Sequence, residues 1–244
     1  MREERPMEIL LMRLEGPLMS FGGARVDHHN HTERFPGVSL LTGLFGNALG
    51  LRHDQPEALQ ALQSRLLYAA RLDRPGEELR DYQTVDLGQP HLCQPGWTTQ
   101  HRVEKRGSGE ATRGTHIRYR FYRAETSVTV AVRLTDDDAP TVADLAAALA
   151  RPARPLFLGR KGCPPSAPLL IGVKQADSLH AALCAEPLAE HAEAGPYAAL
   201  WPDRQGEPPG EFTELLADTR DWRNNVHTGR RSMRRGEIEV KPLV

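Results

Sequence analysis

Residues 118–150 read RYRFYRAETSVTVAVRLTDDDAPTVADLAAALA, and two periods in this stretch decide the fold class. Val128, Val130, Val132 and Leu134 recur at every second position, so Arg118 to Leu134 is predicted as strand. Thr141-Val-Ala-Asp144 then supplies a helix start with a side-chain cap, and a helix is predicted to about Ala150. Working backwards, Glu8 to Leu14 alternates through Leu10, Met12 and Leu14 and stops at the breaker Gly16-Pro17, so it reads as a first strand. Ser39 to Leu51 is apolar and predicted helical, although Gly43, Gly46 and Gly50 each cost about 1 kcal/mol against alanine. Close approach of another backbone or a ligand phosphate would account for them, and so would tight helix packing. Asp54-Gln-Pro-Glu57 opens a second helix, which Leu59, Leu62, Leu66 and Ala70 extend to Arg71. Leu79 to Leu87 is predicted as strand, and Gln89 to Gly114 is a long polar insertion. Strand, helix, helix, strand with an insertion, strand and helix compose an α+β, ferredoxin-like sheet. Beyond Arg151 a turn at Gly162 to Pro168, a strand at Leu169 to Val173 and a short helix from Ser178 follow, and past Glu186 acids, proline and glycine dominate.

Composition narrows the function classes. Hydrophobic residues are 39% and charged residues 26%, and no apolar run nears the roughly 20 residues of a membrane span. Cys93, Cys163 and Cys184 lie far apart, which argues against a disulfide framework or zinc knuckle and for reduced thiols in a cytoplasmic protein. The net charge of −1 hides segregation. Between His101 and Arg123 seven Lys/Arg oppose two acids, and between Arg220 and Arg235 six arginines oppose one. Glu186 to Asp218 carries eight acids against a single arginine. Such stripes are either solvated surface or a local attraction for phosphate, and the excess of Arg over Lys suits bidentate contact and base stacking. Trp97, Tyr119, Phe121 and Tyr122 sit among the arginines of the first run, a pattern that fits stacking on unpaired bases or a strand with one buried aromatic face.

Several residue types invite chemistry. Tyr82, His101, Lys105 and His116 are those a metal-independent ribonuclease would use as base, acid and phosphorane-stabilising cation, although spacing alone does not unite them. His28, His29 and His31 could meet a metal, but without accompanying ligand spacing a solvated loop is the plainer reading. No metal or cofactor site is expected.

Four ordered segments carry a resemblance. They are Arg13-Leu-Glu-Gly-Pro-Leu-Met-Ser-Phe-Gly22, Arg34-Phe-Pro-Gly-Val-Ser-Leu-Leu-Thr-Gly-Leu-Phe-Gly46 with Gly50, Leu79-Arg-Asp-Tyr-Gln-Thr-Val85, and Pro155-Leu-Phe-Leu-Gly-Arg-Lys-Gly-Cys-Pro164 with Pro168. Together they resemble the CasD family, the subunit of type I-E CRISPR Cascade complexes that holds the 5′ end of the guide RNA. Leu40 and Thr42 depart from the glycine and leucine usual in the second segment, and Ser20-Phe21 from a Gln-Trp or Ala-Trp pair. The resemblance implies a RAMP-type ferredoxin-like domain over residues 7–150, with a β-hairpin thumb inserted at about 81–118. A smaller β-rich part would occupy 151–244, with the acidic segment and the arginine-rich tail. It implies a non-catalytic role: binding the crRNA 5′ handle beside the Cascade backbone subunits and the large PAM-reading subunit, and meeting target DNA only indirectly. A related branch cleaves the repeat RNA itself. Carried onto this sequence, the expected RNA-binding residues are Arg34, Ser39 and Thr42 at the helix start, Arg80, Tyr82 and Thr84 at the thumb base, and Arg160 and Lys161 on the later turn. Arg102, Lys105, Arg106 and Arg113 are thumb cations by position.

Overall fold

The computed structural model describes residues 6–23, 29–52, 54–89, 96–97, 102–104, 114–192, 194–203 and 212–240. The chain opens with β1 (Met7–Glu15), two short strands β2 (Leu18–Met19) and β3 (His29–Asn30), and helices α1 (Val38–Leu49) and α2 (Pro56–Arg65). β4 (Leu66–Arg74) leads into the long strand β5 (Glu77–Asp86), which passes through β6 (Gly96–Trp97) and β7 (Val103–Glu104) to its partner β8 (Thr115–Ala124). Then come β9 (Ser127–Leu134), α3 (Val142–Ala150), β10 (Leu170–Ala176) and α4 (Leu179–Ala185). β11 (Tyr197–Pro202), β12 (Phe212–Leu216), β13 (Arg220–Asp221), β14 (Val226–His227) and β15 (Arg231–Ile238) complete it.

The main sheet runs β10-β1-β9-β4-β11-β15-β12, with every pair antiparallel. Its first four strands have the ferredoxin-like order, each helical crossover skipping one strand. Even-numbered residues of β1 (Leu10, Met12, Leu14) face α1, α2 and α3, whereas Ile9 and Leu11 face α4, so this central strand is covered on both sides. α3 starts on the expected capping box: Thr141 accepts from the Asp144 N–H, and Asp144 accepts from the Thr141 N–H at 2.8 Å.

One helix ends earlier than its periodicity predicts. α2 stops at Arg65, and Leu66 to Arg71 belongs to β4. Leu66, Tyr68, Ala70 and Leu72 enter one core and Ala69 the other. A segment buried on both faces satisfies a helical and a strand pattern alike, and pairing with β9 decides it. The start is also displaced: Gln55 is the N-cap and Pro56 the first helical residue. Gly46 of α1 is explained by packing, since a Cβ there would lie 2.5 Å from Leu59 Cδ2 of α2, whereas a Cβ on Gly43 would make only an ordinary contact, 3.4 Å from Trp222. Gly50 closes the helix in the left-handed conformation, at φ 83°.

On the α4 side a buried ion pair fastens the C-terminal half. Arg71 is wholly buried and reaches Asp73 Oδ1 through Nε at 2.6 Å; it also donates to the carbonyls of Leu183, Glu186 (2.7 Å) and Pro187 (3.0 Å). Asp73 Oδ2 in turn accepts from Thr129 Oγ1 at 2.8 Å and the Ala189 N–H at 2.9 Å. Nearby, His180 of α4 meets the edge of the Trp201 ring at 4.8 Å and is 8% exposed. Burial holds its pKa below the usual 6.5, so it is neutral in the fold while the unfolded chain still takes up a proton. The unfolded state therefore gains protons first as pH falls below 6.5, and stability is expected to drop there, above the carboxylate range. The urea midpoint measured from pH 7 to pH 5 should fall for the wild type and stay flatter for His180→Leu. Cys163 packs in the core, as its apolar surroundings require, and burial raises its thiol pKa.

Candidate nucleic-acid interface

The interface is built on the inserted hairpin. β5 and β8 pair without a break from Glu77 with Ala124 to Asp86 with Thr115, and β2 and β3 flank the other edge of β8. Period-two alternation puts Arg80, Tyr82 and Thr84 of β5 on the same face as Ile117, Tyr119, Phe121 and Arg123 of β8. β3 lies parallel to β8 with His29 beside Tyr119, which adds two imidazoles to that face. The rings form a run: His31 stacks on Phe121 at 4.5 Å, His29 on Tyr119 at 5.2 Å, the two imidazoles are 6.0 Å apart, and Tyr82 leans on Tyr119 at 5.4 Å. Tyr82 is 54% exposed, and Arg80 sits 5.6 Å over the Tyr119 ring centroid. His29 and His31 thus join the aromatic face, with His31 still exposed on the loop after β3. No group of three metal-ligating side chains occurs among the described residues.

Cations gather at the hairpin base. Arg34 is exposed on the loop before α1; partial burial lowers its pKa first, and the neighbouring charges of Arg235 and Arg123 lower it further against the opposing Glu237. An arriving anion would relieve that repulsion. The turn carrying Arg160 is docked by the backbone: Ser20 donates to the Leu158 carbonyl at 3.1 Å, and Gly159, at φ 90°, lies where a Cβ would be 1.8 Å from the Ser20 oxygen. Arg160 consequently lies 4.5 Å over Tyr122, donates to the Asn30 carbonyl at 3.2 Å, and keeps Nη1 buried without an acceptor. Lys161 is exposed beside it, as are Thr84 and Arg102. Lys105, Arg106, Arg113 and His101 lie outside the described residues.

Two expected contacts are corrected. Thr42 is fully buried and its hydroxyl donates to the Val38 carbonyl at 2.8 Å. Ser39 is buried as well, and the first N–H groups of α1 are already taken by Asp218: Val38 N donates to Oδ2 at 2.8 Å and Ser39 N to the carbonyl at 3.2 Å. A carboxylate from far along the chain thus occupies the helix terminus where contact with RNA is expected. Of the nuclease set, Tyr82 and His116 are among the described residues, and they do not share a face. Val85 is the partner of His116, so His116 projects from the face opposite Tyr82. Arg123 and Arg235 are additions that the sequence marked only as members of arginine-rich runs, while the alternation of Tyr119 and Phe121 was a visible signal for the rings.

The CRISPR-associated protein (Cas_Cas5) family model matches residues 9–241. The protein "CRISPR system Cascade subunit CasD" of Escherichia coli (strain K12) is 34% identical over 179 residues, 71% of this chain and 75% of that one. A chain in a structure described as "CRISPR RNA-guided surveillance complex" superposes with a TM-score of 0.71 at 27% identity, over 95% of this chain and 90% of that chain. A structure described as "Crystal structure of Cas protein" shares the fold, with a TM-score of 0.63 at 22% identity over 96% of this chain and all of the other. The ferredoxin-like sheet, the inserted hairpin and these matches agree: the chain belongs to the Cas5 family of CRISPR-associated proteins.

Proposed function

We propose that this protein is the non-catalytic Cascade subunit that grips the 5′ handle of CRISPR RNA. The carrying observation is the aromatic face of the hairpin with arginines around it. Unpaired bases stack on the Tyr119, His29, His31, Phe121 and Tyr82 surfaces, and Arg34, Arg80 and Arg123 neutralise the phosphates between them, while Arg160, over Tyr122 on the opposite face of the hairpin, and Arg235, paired with Glu214, add positive charge at the base. Residues 81–118 act as the thumb, with Arg102, Lys105, Arg106 and Arg113 as further cations along it. The backbone subunits and the large PAM-reading subunit dock on the remaining surface, and target DNA is met only through the assembled complex. The E. coli relative's name and the surveillance-complex match support this assignment.

Purified protein is incubated with labelled repeat RNA in EDTA, crosslinked with ultraviolet light and run on a denaturing gel. A slow band carrying intact RNA is the expected result. A shorter product that vanishes when the 2′-hydroxyl at the cut is removed would replace this reading with an endoribonuclease. Tyr119→Ala should weaken RNA binding about 5–150-fold, as loss of about 1–3 kcal/mol of stacking requires. Arg34→Gln should reduce the slope of log K against log salt by about 0.7, the value for one single-strand phosphate contact.

A further inference from the structure

A cavity apart from the aromatic face lies between α2 and the β13–β14 hairpin. It measures about 360 Å³, with Gln60, Gln63 and Ser64 on the helix side and Arg220, Thr228 and Arg231 on the other. No residue of the aromatic face lines it, and neither does any carboxylate among the described residues.

Its two guanidiniums differ in what they hold. Arg231 is fully engaged: Nε and Nη2 each lie 2.7 Å from Asp218, and Nη1 donates to Met233 Sδ at 3.1 Å. Arg220 has no ion pair among the described residues. Its Nη2 donates to Asn225 Oδ1 at 2.9 Å, its plane lies 5.2 Å over Trp222, and its Nε is buried without an acceptor. The adjacent Asp221 does not serve it, because its oxygens accept from Arg223 N, Asn224 N and Asn224 Nδ2. Glu57, at the start of α2, is paired with Arg223.

The neutral donors divide in the same way. Gln63 is consumed, accepting from Arg220 N and Trp222 Nε1 at 3.1 Å and donating to the Arg220 carbonyl at 2.9 Å. Gln60 only accepts, from Trp222 N at 3.4 Å, which leaves its amide N–H groups for a ligand. Thr228 joins the hairpin through its backbone, so its hydroxyl is also available. The cavity therefore holds one uncompensated positive charge and two neutral donors, and the one carboxylate that adjoins it, Asp218, is engaged by Arg231 and the Val38 N–H. A tetrahedral oxyanion matches a guanidinium in this setting, and the volume exceeds what a bare phosphate fills. We propose that this cavity binds a phosphate ester, its oxygens held by Arg220, Gln60 and Thr228.

The test uses the full chain, inorganic phosphate against chloride at matched ionic strength, and melting as readout. At phosphate about five times its Kd, the wild type should melt about 2–4 °C higher. Gln60→Glu places a carboxylate in the cavity that Arg220 lines, at nearly constant volume, so it should lose that shift and melt higher without phosphate. Arg220→Gln should lose the shift as well; if this variant fails to fold, Gln60→Glu alone decides. Adenosine monophosphate and an RNA oligonucleotide without a terminal phosphate identify the source. Tighter binding of the first supports a mononucleotide, and displacement of phosphate by the second supports a backbone phosphodiester, provided either effect is lost in Gln60→Glu. Equal phosphate shifts in wild type and variants, or none in the wild type, overturn the proposal.

Discussion

Arg71→Met should destabilise the protein by about 3–5 kcal/mol, because it leaves Asp73 charged and buried beneath α4. Thr129 and Ala189 still donate to that carboxylate, but the nearest remaining cation is Arg13, 3.8 Å from Oδ2. The same change frees the carbonyls of Leu183, Glu186 and Pro187, so the connection out of α4 loses its anchor. With a chain of this size the melting temperature should drop by about 6–20 °C. Removing the second charge relieves part of the penalty of stranding the first, so Arg71→Met/Asp73→Leu should lose about 1–3 kcal/mol less than the two single variants summed. Urea unfolding of the four proteins measures this coupling. A loss under about 1 kcal/mol in Arg71→Met would show that the pair contributes little beyond its desolvation.

The second large effect is expected at Asp218, which joins the C-terminal part of the sheet to the first helix. Its carboxylate receives the Val38 N–H and both ends of the Arg231 fork, with Tyr68 Oη 3.5 Å away. Burial and the neighbouring Asp218 charge hold the Tyr68 hydroxyl protonated, although the Arg231 cation acts the other way. Asp218→Ala uncovers the N-terminus of α1 and strands Arg231 in the interior, at a cost of about 3–5 kcal/mol. Asp218→Asn keeps an acceptor for Val38 and removes the charge, so a smaller loss of about 1–3 kcal/mol is expected. Chemical denaturation should rank the wild type above Asp218→Asn and Asp218→Ala last. Equal losses in the two variants would mean that the helix cap contributes nothing measurable.

Local patterns in the chain revealed the elements that are decided locally. The alternation of β1 and β9, the Thr141 to Asp144 capping box and the pause between Leu87 and Gly114 each depend on neighbouring residues. Leu66 to Arg71 was misread because a doubly buried strand and a buried helix share an apolar composition. β11 was hidden for a different reason: its six residues sit among acids and prolines, and its partners β4 and β15 are remote. The site divides along the same line. Arg34, Arg80, Tyr82 and Arg160 follow from the segments that resemble the family, and each lies at the hairpin or its base. Ser39 and Thr42 were misassigned because nothing local announces that Asp218 will cap their helix. The company of His29 with Tyr119, and of Arg34 with Arg123 and Arg235, depends on strand pairings that no spacing in the sequence encodes.

The position of β11 beside β4 also has a consequence for synthesis. The four ferredoxin-like strands are complete once Ala176 has left the ribosome, yet β4 then forms an open edge of the nascent sheet. Its row of unpaired backbone groups is covered only when Tyr197–Pro202 emerges, and β11 itself waits for β15. During that interval an apolar, doubly buried strand is offered to any other extended chain. Translation through the proline- and acid-rich stretch after Glu186 thus sets how long that edge stays open.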